Sequence, residues 1–295
     1  MTTNRKLKFA IFGNVYQAKK SASIQKILSI LNEREAEVVF DREFYDFLVN
    51  NQRLSVKADG VFDNDDFDAD IVISMGGDGT FLKAASHVGA KDIPVMGVNM
   101  GRLGFLADVS PAGIEHAIDS IYKDKYKIER HTVIGVKSQD GDIIDYPYAL
   151  NDIAVLKRDD ASMISIRACV DGEYVVTYRA DGLVVSTPTG STAYSLSNGG
   201  PIVAPQAGVL CLTPVAPHSL NVRPIVVPDS AEITINVESR NHNFLVAVDG
   251  RSARCNESQT LTIRRASYDI KIIKRHGQKY FHTLREKMMW GADTR

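Results

Sequence analysis

The sequence contains few cysteines and no long run of uncharged apolar residues. Its three cysteines, Cys169, Cys211 and Cys255, lie far apart and form no CxxC pair, so a disulfide framework and a structural zinc site are both disfavoured. The apolar run that follows the basic residues near the N-terminus covers only positions 9–12, which is too short for a signal peptide. No segment approaches the roughly 20 apolar residues that cross a bilayer. We therefore expect a soluble, cytoplasmic protein without a membrane partner.

The sequence also has no excess of charge of either sign. Its 35 Lys and Arg residues are balanced by 36 Asp and Glu residues, which gives a formal net charge of −1 at pH 7. Binding to nucleic acid through bulk charge is thereby disfavoured. The seven histidines show no spacing typical of metal ligands, so no zinc or iron site is expected.

With 295 residues, of which 44% are hydrophobic, two domains are expected. Over residues 1–128, short apolar runs alternate with helical periodicity, beginning with LKFAIFG and an amphipathic segment at 24–31. Uninterrupted apolar stretches, typical of strands buried on both faces of a parallel sheet, lie at 37–40, 70–75 and 94–99. We therefore predict a doubly wound α/β domain over 1–128, on which the tail 277–295 packs back.

From about residue 129 the helical period nearly disappears. Turn pairs such as Asp140-Gly141 and Asp171-Gly172 separate short runs rich in β-branched residues. The runs lie at 133–137, 152–156, 163–170, 173–178, 182–187, 232–238, 243–250, 260–265 and 269–274. This pattern predicts a predominantly β domain over 129–276.

A glycine-rich loop stands where a buried strand ends and a helix begins, the place where α/β proteins bind phosphate. The glycines, expected to adopt positive φ, would let backbone N–H groups approach a ligand. Since position 82 is Leu, GxGxxG is excluded, and no GK[ST] follows at P-loop spacing. An ordinary glycine-rich turn remains an alternative. The loop consists of Gly76, Gly77, Asp78, Gly79 and Thr80.

The carboxylate of Asp78 lies among these glycines, where a passive phosphate cradle would avoid negative charge. A carboxylate that accepts the proton of an attacking hydroxyl, beside amides that hold phosphate oxygens, suits phosphoryl transfer. Asp78 is also a candidate helix N-cap, since Asp is favoured there. The two roles are compatible.

Residues 186–197 carry a hydroxyl at eight of twelve positions. Such a segment is expected to expose short donors and acceptors suited to ribose hydroxyls, adenine edges and phosphate oxygens, and Tyr194 to stack on a base. A polar loop is the alternative. The segment is not a nucleophile elbow, because Ser191 lacks the GxSxG spacing. Asn151-Asp152, before an apolar strand, by itself indicates only a strand-entry turn.

Taken together, GGDGT (76–80), NMGRLGFL (99–106), Asn151-Asp152 and DGLVVSTPTGSTAYSLSNGGPI (181–202) resemble the bacterial NAD kinase family. The resemblance covers most of the chain. GGDGT alone is shared with lipid kinases, whereas the long 181–202 segment is specific to NAD kinases. The resemblance implies transfer of the γ-phosphoryl group of ATP to the 2′-hydroxyl of the adenosine ribose of NAD.

The resemblance also implies roles for individual residues. Asp78 would be the general base, and Lys83 would reach phosphate unless it is merely an exposed helix lysine. Asn151 and Asp152 would contact the NAD adenosine. Arg251 and Ser162 fall at ligand-facing positions that vary in the family. The remaining implied contacts are Gly76, Gly77, Gly79 and Thr80 along the phosphates, Thr192, Ala193, Tyr194, Ser195, Leu196 and Ser197 around adenine, and Arg179 and Asp181 near the nicotinamide end.

Magnesium, or manganese, is the implied metal, bound with the ATP phosphates and assisted by Asp78 or Asp152 rather than by a dedicated cluster. Family members are commonly dimers or tetramers, so a homo-oligomer is expected. Two alternatives stay open at this point. One is a lipid kinase that shares only GGDGT, disfavoured by the polar 186–197 segment. The other is a noncatalytic NAD(P)-binding sensor, which would not need the carboxylate of Asp78.

Overall fold

The computed structural model describes residues 6–15, 21–101, 104–158, 162–275, 277 and 279–290. The chain forms two compact units, Met1–Arg130 with Ile270–Arg295, and His131–Asp269. The C-terminal helix is therefore part of the first unit. No helix in the described ranges has both the length and the apolar character needed to cross a membrane.

The first unit has a parallel sheet with the strand order β3-β2-β1-β4-β5. This order is that of a doubly wound α/β sheet. Near its C-terminal end, a further strand, β17 (Leu261–Arg275), pairs in parallel with β5 through Ile272 and Val95. The strands are β1 (Lys8–Gly13), β2 (Glu37–Asp41), β3 (Gly60–Phe62), β4 (Ile71–Gly76) and β5 (Val95–Asn99).

Helices cover this sheet through apolar residues at helix spacing. Ile27 and Leu31 are fully buried against Phe9 and Ile11 of β1, which explains why the strand is apolar without alternation. The helices are α1 (Ser21–Glu33), α2 (Arg42–Asp46), α3 (Asp78–Val88), α4 (Ile114–Tyr122) and α6 (Tyr280–Met288), with a π-helix at Phe47–Asn51 and 3₁₀ turns at Gly89–Lys91 and Pro111–Gly113.

The second unit packs two antiparallel sheets face to face around one core. One sheet has the order β13-β12-β11-β8-β15-β16, and the other includes β10-β9-β14-β17. Leu183 and Val185 of the first meet Ile166 and Ile235 of the second. The strands are β6 (Tyr126–Ser138), β7 (Tyr148–Ala149), β8 (Asp152–Leu156), β9 (Ile164–Val170), β10 (Glu173–Ala180), β11 (Gly182–Ser186), β12 (Val209–Val215), β13 (Ile225–Pro228), β14 (Ile233–Glu238), β15 (Asn243–Val248), β16 (Arg251–Asn256) and β17 (Leu261–Arg275).

The only helical residues described inside this unit are a 3₁₀ turn at Thr189–Thr192 and the one-turn helix α5 (Tyr194–Ser197). The predicted fold class, a doubly wound α/β part followed by a predominantly β part, is confirmed. Five strands were not among the sequence expectations. They are β3, β7, β12, β13 and β16.

Candidate functional site

The glycine loop ends β4 and begins α3, as the sequence predicts, but its backbone is not left-handed. Among the described residues, positive φ occurs at six other glycines and not at 76, 77 or 79. Gly76 belongs to β4, Gly77 is the N-cap of α3, and Gly79 lies in the first turn of α3. A Cβ on Gly76 would lie 2.1 Å from Thr80 Oγ1, whereas one on Gly77 or Gly79 would meet nothing within 4 Å. Glycine is therefore required at 76 for close approach, and 77 and 79 leave open space above the loop.

The expectation that Asp78 caps α3 is wrong. Gly77 is the N-cap residue, and the Asp78 side chain turns away to bind another loop. Its Oδ2 accepts a hydrogen bond from the N–H of Phe105 at 2.9 Å. Its Oδ1 accepts two, from Leu106 at 3.1 Å and from Ala107 at 3.0 Å.

Three consecutive N–H groups thus hold the Asp78 carboxylate. An ionised carboxylate offers about four lone-pair sites, so one site on Oδ2 is still free to accept a proton donor. A Cβ on Gly104 would lie 2.0 Å from Asp78 Oδ1, so this loop approaches the carboxylate only because residue 104 is glycine. We define residues 104–107 with Asp78 as the first aspartate clamp.

Lys83 lies one turn further along α3 and is paired with carboxylates. Its Nζ lies 3.3 Å from Asp41 Oδ2 and 2.5 Å from Glu43 Oε2. Burial lowers the pKa of Lys83, but the two carboxylates outweigh this effect and the net shift is upward. Lys83 is thus not a free helix lysine, because its ammonium group is paired with Asp41 and Glu43.

In the second unit, Asp249 holds the turn that carries Asn151 and Asp152. Its Oδ2 accepts from Leu150 N at 2.8 Å, and its Oδ1 accepts from Asn151 N at 2.9 Å and from Asp152 N at 3.1 Å. The N–H of Asp249 in turn donates to Asp152 O at 3.0 Å. We define residues 150–152 with Asp249 as the second aspartate clamp.

The hydroxyl-rich segment packs directly on this clamp. Thr187 N donates to Asn151 O at 2.9 Å, and Thr187 Oγ1 donates to Leu150 O at 2.6 Å. A Cβ on Gly190 would lie 2.0 Å from Asn151 O, so only glycine permits the contact. The structure therefore brings together three segments that are distant in sequence, 150–152, 187–197 and Asp249.

The expectation that residues 186–197 expose their hydroxyls is wrong for most of them. Ser186, Thr187, Thr189, Ser191 and Ser195 are all buried. Several of these hydroxyls bond internally: Ser191 Oγ donates to Pro188 O at 2.7 Å, and Ser195 Oγ lies 2.9 Å from Thr213 Oγ1. Because an irregular turn leaves backbone carbonyls without sheet partners, the hydroxyls of Thr187 and Ser191 satisfy some of them. Thr192, Ala193 and Leu196 are half-buried, and Tyr194 and Ser197 are exposed.

The carboxyl group of Asp152 is buried beside that of Asp249. Burial, reinforced by the charge of Asp249, raises the pKa of Asp152 to about 7, although a hydrogen bond from the backbone of Tyr194 opposes the shift. Burial also raises the pKa of Asp249, against three backbone hydrogen bonds and the nearby Arg251. Since Asp249 accepts the three N–H groups, Asp152 is the member of the pair that takes up a proton near neutral pH.

The other candidate residues of the second unit are dispersed. Asp181 Oδ1 pairs with Lys157 Nζ at 2.9 Å, and Arg179 is exposed. Arg251 donates to Val248 O at 3.2 Å and to Tyr148 O at 2.8 Å, with its guanidinium 4.8 Å from the centre of the Tyr146 ring. Ser162 is half-buried ahead of β9. Arg251 therefore braces the turn that carries Asp249.

Sequence reasoning missed Asp249 as a site residue. Its visible signal was only an Asp-Gly pair between two strands, typical of a hairpin turn; its φ of 47° fits that turn. The described residues contain no group of three His, Cys, Asp or Glu side chains placed to hold a metal ion.

Two family models match the chain. The ATP-NAD kinase N-terminal domain matches residues 9–126, and the ATP-NAD kinase C-terminal domain matches residues 150–275. Together they cover more than half of the chain. Asp78 lies in the first match, and both Asp152 and Asp249 lie in the second.

Curated relatives match over nearly the full length. An NAD kinase of Bacteroides fragilis is 57% identical over 289 residues, which cover 98% of this chain and 100% of the relative. An NAD kinase of Flavobacterium psychrophilum is 41% identical over 293 residues, again covering 98% of this chain and 100% of the relative.

Solved structures share the fold. Yeast NADH kinase, in complex with NADH, matches with a TM-score of 0.87 at 22% identity, covering 99% of this chain and 90% of that one; at this identity the likeness concerns the fold. An NAD kinase from Archaeoglobus fulgidus, in complex with ATP, matches with a TM-score of 0.76 at 28% identity, covering 96% and 99%.

These matches favour neither a lipid kinase nor a noncatalytic sensor. They confirm the resemblance drawn from GGDGT and the 181–202 segment. The chain therefore belongs to the NAD kinase family, the phosphotransferases that move the γ-phosphoryl group of ATP to the 2′-hydroxyl of the adenosine ribose of NAD.

Proposed function

We propose that Asp78 is the general base of this phosphoryl transfer. The observation that carries the proposal is the geometry of the first aspartate clamp, in which three N–H groups fix the carboxylate and leave one lone pair of Oδ2 free. A secondary hydroxyl is a poor nucleophile, and a fixed carboxylate within hydrogen-bond reach assists its attack. As the ribose oxygen bonds to the γ-phosphorus, its proton passes to Asp78 Oδ2 and ADP leaves with the bridging oxygen.

The backbone around Asp78 would hold the phosphates. Gly77 and Gly79 leave open space at the start of α3, and the N-terminus of a helix favours phosphate oxygens. Gly76 and Thr80 shape the turn through their mutual contact. Lys83 would reach a phosphate only if its ammonium group left Glu43 or Asp41. Glu43 is exposed, and an exposed ion pair contributes little free energy, so this exchange costs little.

In the second unit, we propose that Asn151 and Asp152 bind the adenosine of NAD and that residues 192–197 line the adenine pocket. Exposed Tyr194 is placed on the turn whose backbone reaches Asp152, and an aromatic face suits a purine base. Arg179 and Asp181 are assigned to the nicotinamide end. Arg251 and Ser162 would act at the margin of the site, Arg251 through Asp249.

A divalent metal, Mg²⁺ or Mn²⁺, is proposed to accompany ATP. The described side chains suit this mode because Asp78 and Asp152 offer carboxylates while no group of three possible ligands is present among them, and Mg²⁺ binds through phosphates with one or two carboxylates. When bound, it neutralises the triphosphate charge.

We further propose a cytoplasmic homodimer or homotetramer. The domain boundaries proposed from the sequence are 1–128 with 277–295 for the α/β domain, and 129–276 for the NAD-binding domain. Gel filtration with light scattering would test the oligomeric state.

The base assignment is tested by NADP formation from NAD, ATP and Mg²⁺ in the wild type and in Asp78→Asn. We expect kcat to fall by about 10²–10⁴-fold, with the Kd for NAD changed little. Asp66→Asn, an exposed loop aspartate of the same unit, is the matched control and should keep full activity. Full turnover by Asp78→Asn would refute the assignment.

A further inference from the structure

The first unit has a cavity that lies outside both clamps and outside the 76–80 loop. Its volume is about 610 Å³, and it is formed by α4, the end of β17 and α6. Three of the side chains that line it are cations, Lys125, Arg275 and Lys279. None of these residues has a role in the phosphoryl transfer proposed above.

The three cations have no carboxylate within ion-pair distance among the described residues. The two carboxylates of the cavity are already engaged. Asp108 pairs with Lys274, and Glu286 Oε2 lies 3.5 Å from His282 Nδ1. Since Lys274 neutralises Asp108, the three unpaired cations outnumber the one remaining carboxylate of the cavity, Glu286.

Arg275 carries a second, independent sign of a missing partner. Its Nε is buried and has no hydrogen-bond acceptor among the described atoms, although an unsatisfied buried donor costs about 1–3 kcal/mol. A Cβ on Gly113 would lie 3.3 Å from Arg275 Nη1, so the guanidinium lies against the first turn of α4. The positive end of a helix dipole disfavours a cation there unless an anion is close.

We propose that this cavity is a binding site for a phosphoryl group, either inorganic or carried by a nucleotide. A guanidinium presents a planar fork that matches two phosphate oxygens, and two flexible ammonium groups complete the charge balance. A phosphoryl group carries about −1.5 to −2 charges near pH 7, which suits three cations better than a monocarboxylate would. Thr283, which also lines the cavity, offers a hydroxyl group.

The test titrates the full-length protein with inorganic phosphate, pyrophosphate and AMP by calorimetry, after NAD and a non-hydrolysable ATP analogue have filled the catalytic site. We expect one further equivalent to bind in the wild type. Lys279→Gln, at an exposed residue, should weaken binding about tenfold, and Arg275→Gln with Lys279→Gln should abolish it. Arg285→Gln, at an exposed residue of α6 that does not line the cavity, is the matched control and should bind normally.

The three titrants distinguish a nucleotide from an inorganic anion as the ligand of the cavity. Tighter binding of AMP than of phosphate assigns the site to a nucleotide, and equal or tighter binding of phosphate or pyrophosphate assigns it to an inorganic anion. No further equivalent in the wild type, or equal affinity in Lys279→Gln and Arg285→Gln, would overturn the proposal. Thermal unfolding and NADP formation by Lys279→Gln, both expected at the wild-type level, show that a loss of binding is not a loss of folding.

Discussion

Asp78 in the first unit and Asp249 in the second unit each accept hydrogen bonds from three consecutive backbone N–H groups. Asp78 follows a buried parallel strand and holds residues 105–107. Asp249 lies in the turn between two antiparallel strands and holds residues 150–152. In both cases a single carboxylate fixes a loop that no ladder of strand hydrogen bonds would fix.

The two clamps differ in what lies beside the carboxylate. Asp78 has no second acid among its hydrogen-bond partners and keeps a free lone pair. Asp249 faces Asp152, whose pKa it helps to raise to about 7, and its turn is braced by Arg251. The same backbone arrangement thus has two different outcomes: the first clamp leaves a carboxylate lone pair free for the base role proposed above, and the second holds a carboxylate beside another acid.

Among the variants that keep the carboxylate of Asp78, the largest effect is expected from breaking the first clamp. In Gly104→Ala the new Cβ would meet Asp78 Oδ1 at 2.0 Å, so the carboxylate or the loop has to move. Displacement of a catalytic group by about 1 Å costs on the order of 10²-fold in rate. We expect kcat for NADP formation to fall by that factor. Gly208→Ala, whose Cβ would meet only Asp229 at 3.7 Å, should keep the wild-type kcat.

Breaking the second clamp should act on binding instead. In Gly190→Ala the Cβ would meet Asn151 O at 2.0 Å, which pushes the 187–197 turn away from Asn151. We expect KM for NAD to rise about tenfold, equivalent to ~1.4 kcal/mol, with kcat changed less. Initial rates at varied NAD concentration separate the two constants. A fall in kcat alone would show that the second clamp does not serve NAD binding.

Asp249→Asn sharpens the comparison because it removes charge and keeps the size of the side chain. The charge of Asp249 contributes to the raised pKa of Asp152, so the variant should lower that pKa. If ionised Asp152 binds the ribose, kcat/KM rises through about pH 7 in the wild type, and the rise moves to lower pH in Asp249→Asn.

The matched control for Asp249→Asn is Asp171→Asn. Asp171 also lies in a turn with positive φ and accepts a backbone hydrogen bond, from Glu232 at 2.8 Å. Asp171→Asn should leave the pH midpoint of kcat/KM unchanged. A midpoint that is equally unmoved in Asp249→Asn would show that Asp249 acts through structure alone.

The last expected effect is on stability and not on activity. The folded-state pKa of Asp152, about 7, lies above the unfolded value of about 3.9. The folded state therefore holds the proton between these values, and the contribution of Asp152 to stability falls as the pH rises from about 4 to 7. Asp152→Asn removes this dependence and should gain about 3 kcal/mol over the wild type on going from pH 4.5 to pH 8. Urea unfolding at both pH values measures the gain; a constant difference would contradict the raised pKa.

The sequence predicted the parts of the fold whose burial is uniform. Strands β1, β4 and β5 are apolar throughout because both faces are covered. Strand β16 was not predicted because polar and apolar residues alternate along it, and only Ala253 and Cys255 of Arg251–Asn256 are apolar. Strand β12 contains Pro214, which argues against a strand in sequence reasoning.

The site was predictable where its signal is local. GGDGT and the 186–197 segment are contiguous, so their composition is informative. Asp249 has no such local signal, because its hydrogen-bond partners lie 97–99 positions earlier in the chain. For the same reason the buried hydroxyls of Thr187 and Ser195 were misread, since their acceptors, Leu150 O and Thr213 Oγ1, are defined by tertiary contacts.

The most direct test of the account is a crystal structure of the wild type with NAD and a non-hydrolysable ATP analogue. The account predicts that the ribose 2′-hydroxyl lies within about 2.6–3.2 Å of Asp78 Oδ2, while Oδ1 still accepts from Leu106 and Ala107. A 2′-hydroxyl that is hydrogen-bonded to a different base, with Oδ2 of Asp78 turned away, would contradict it.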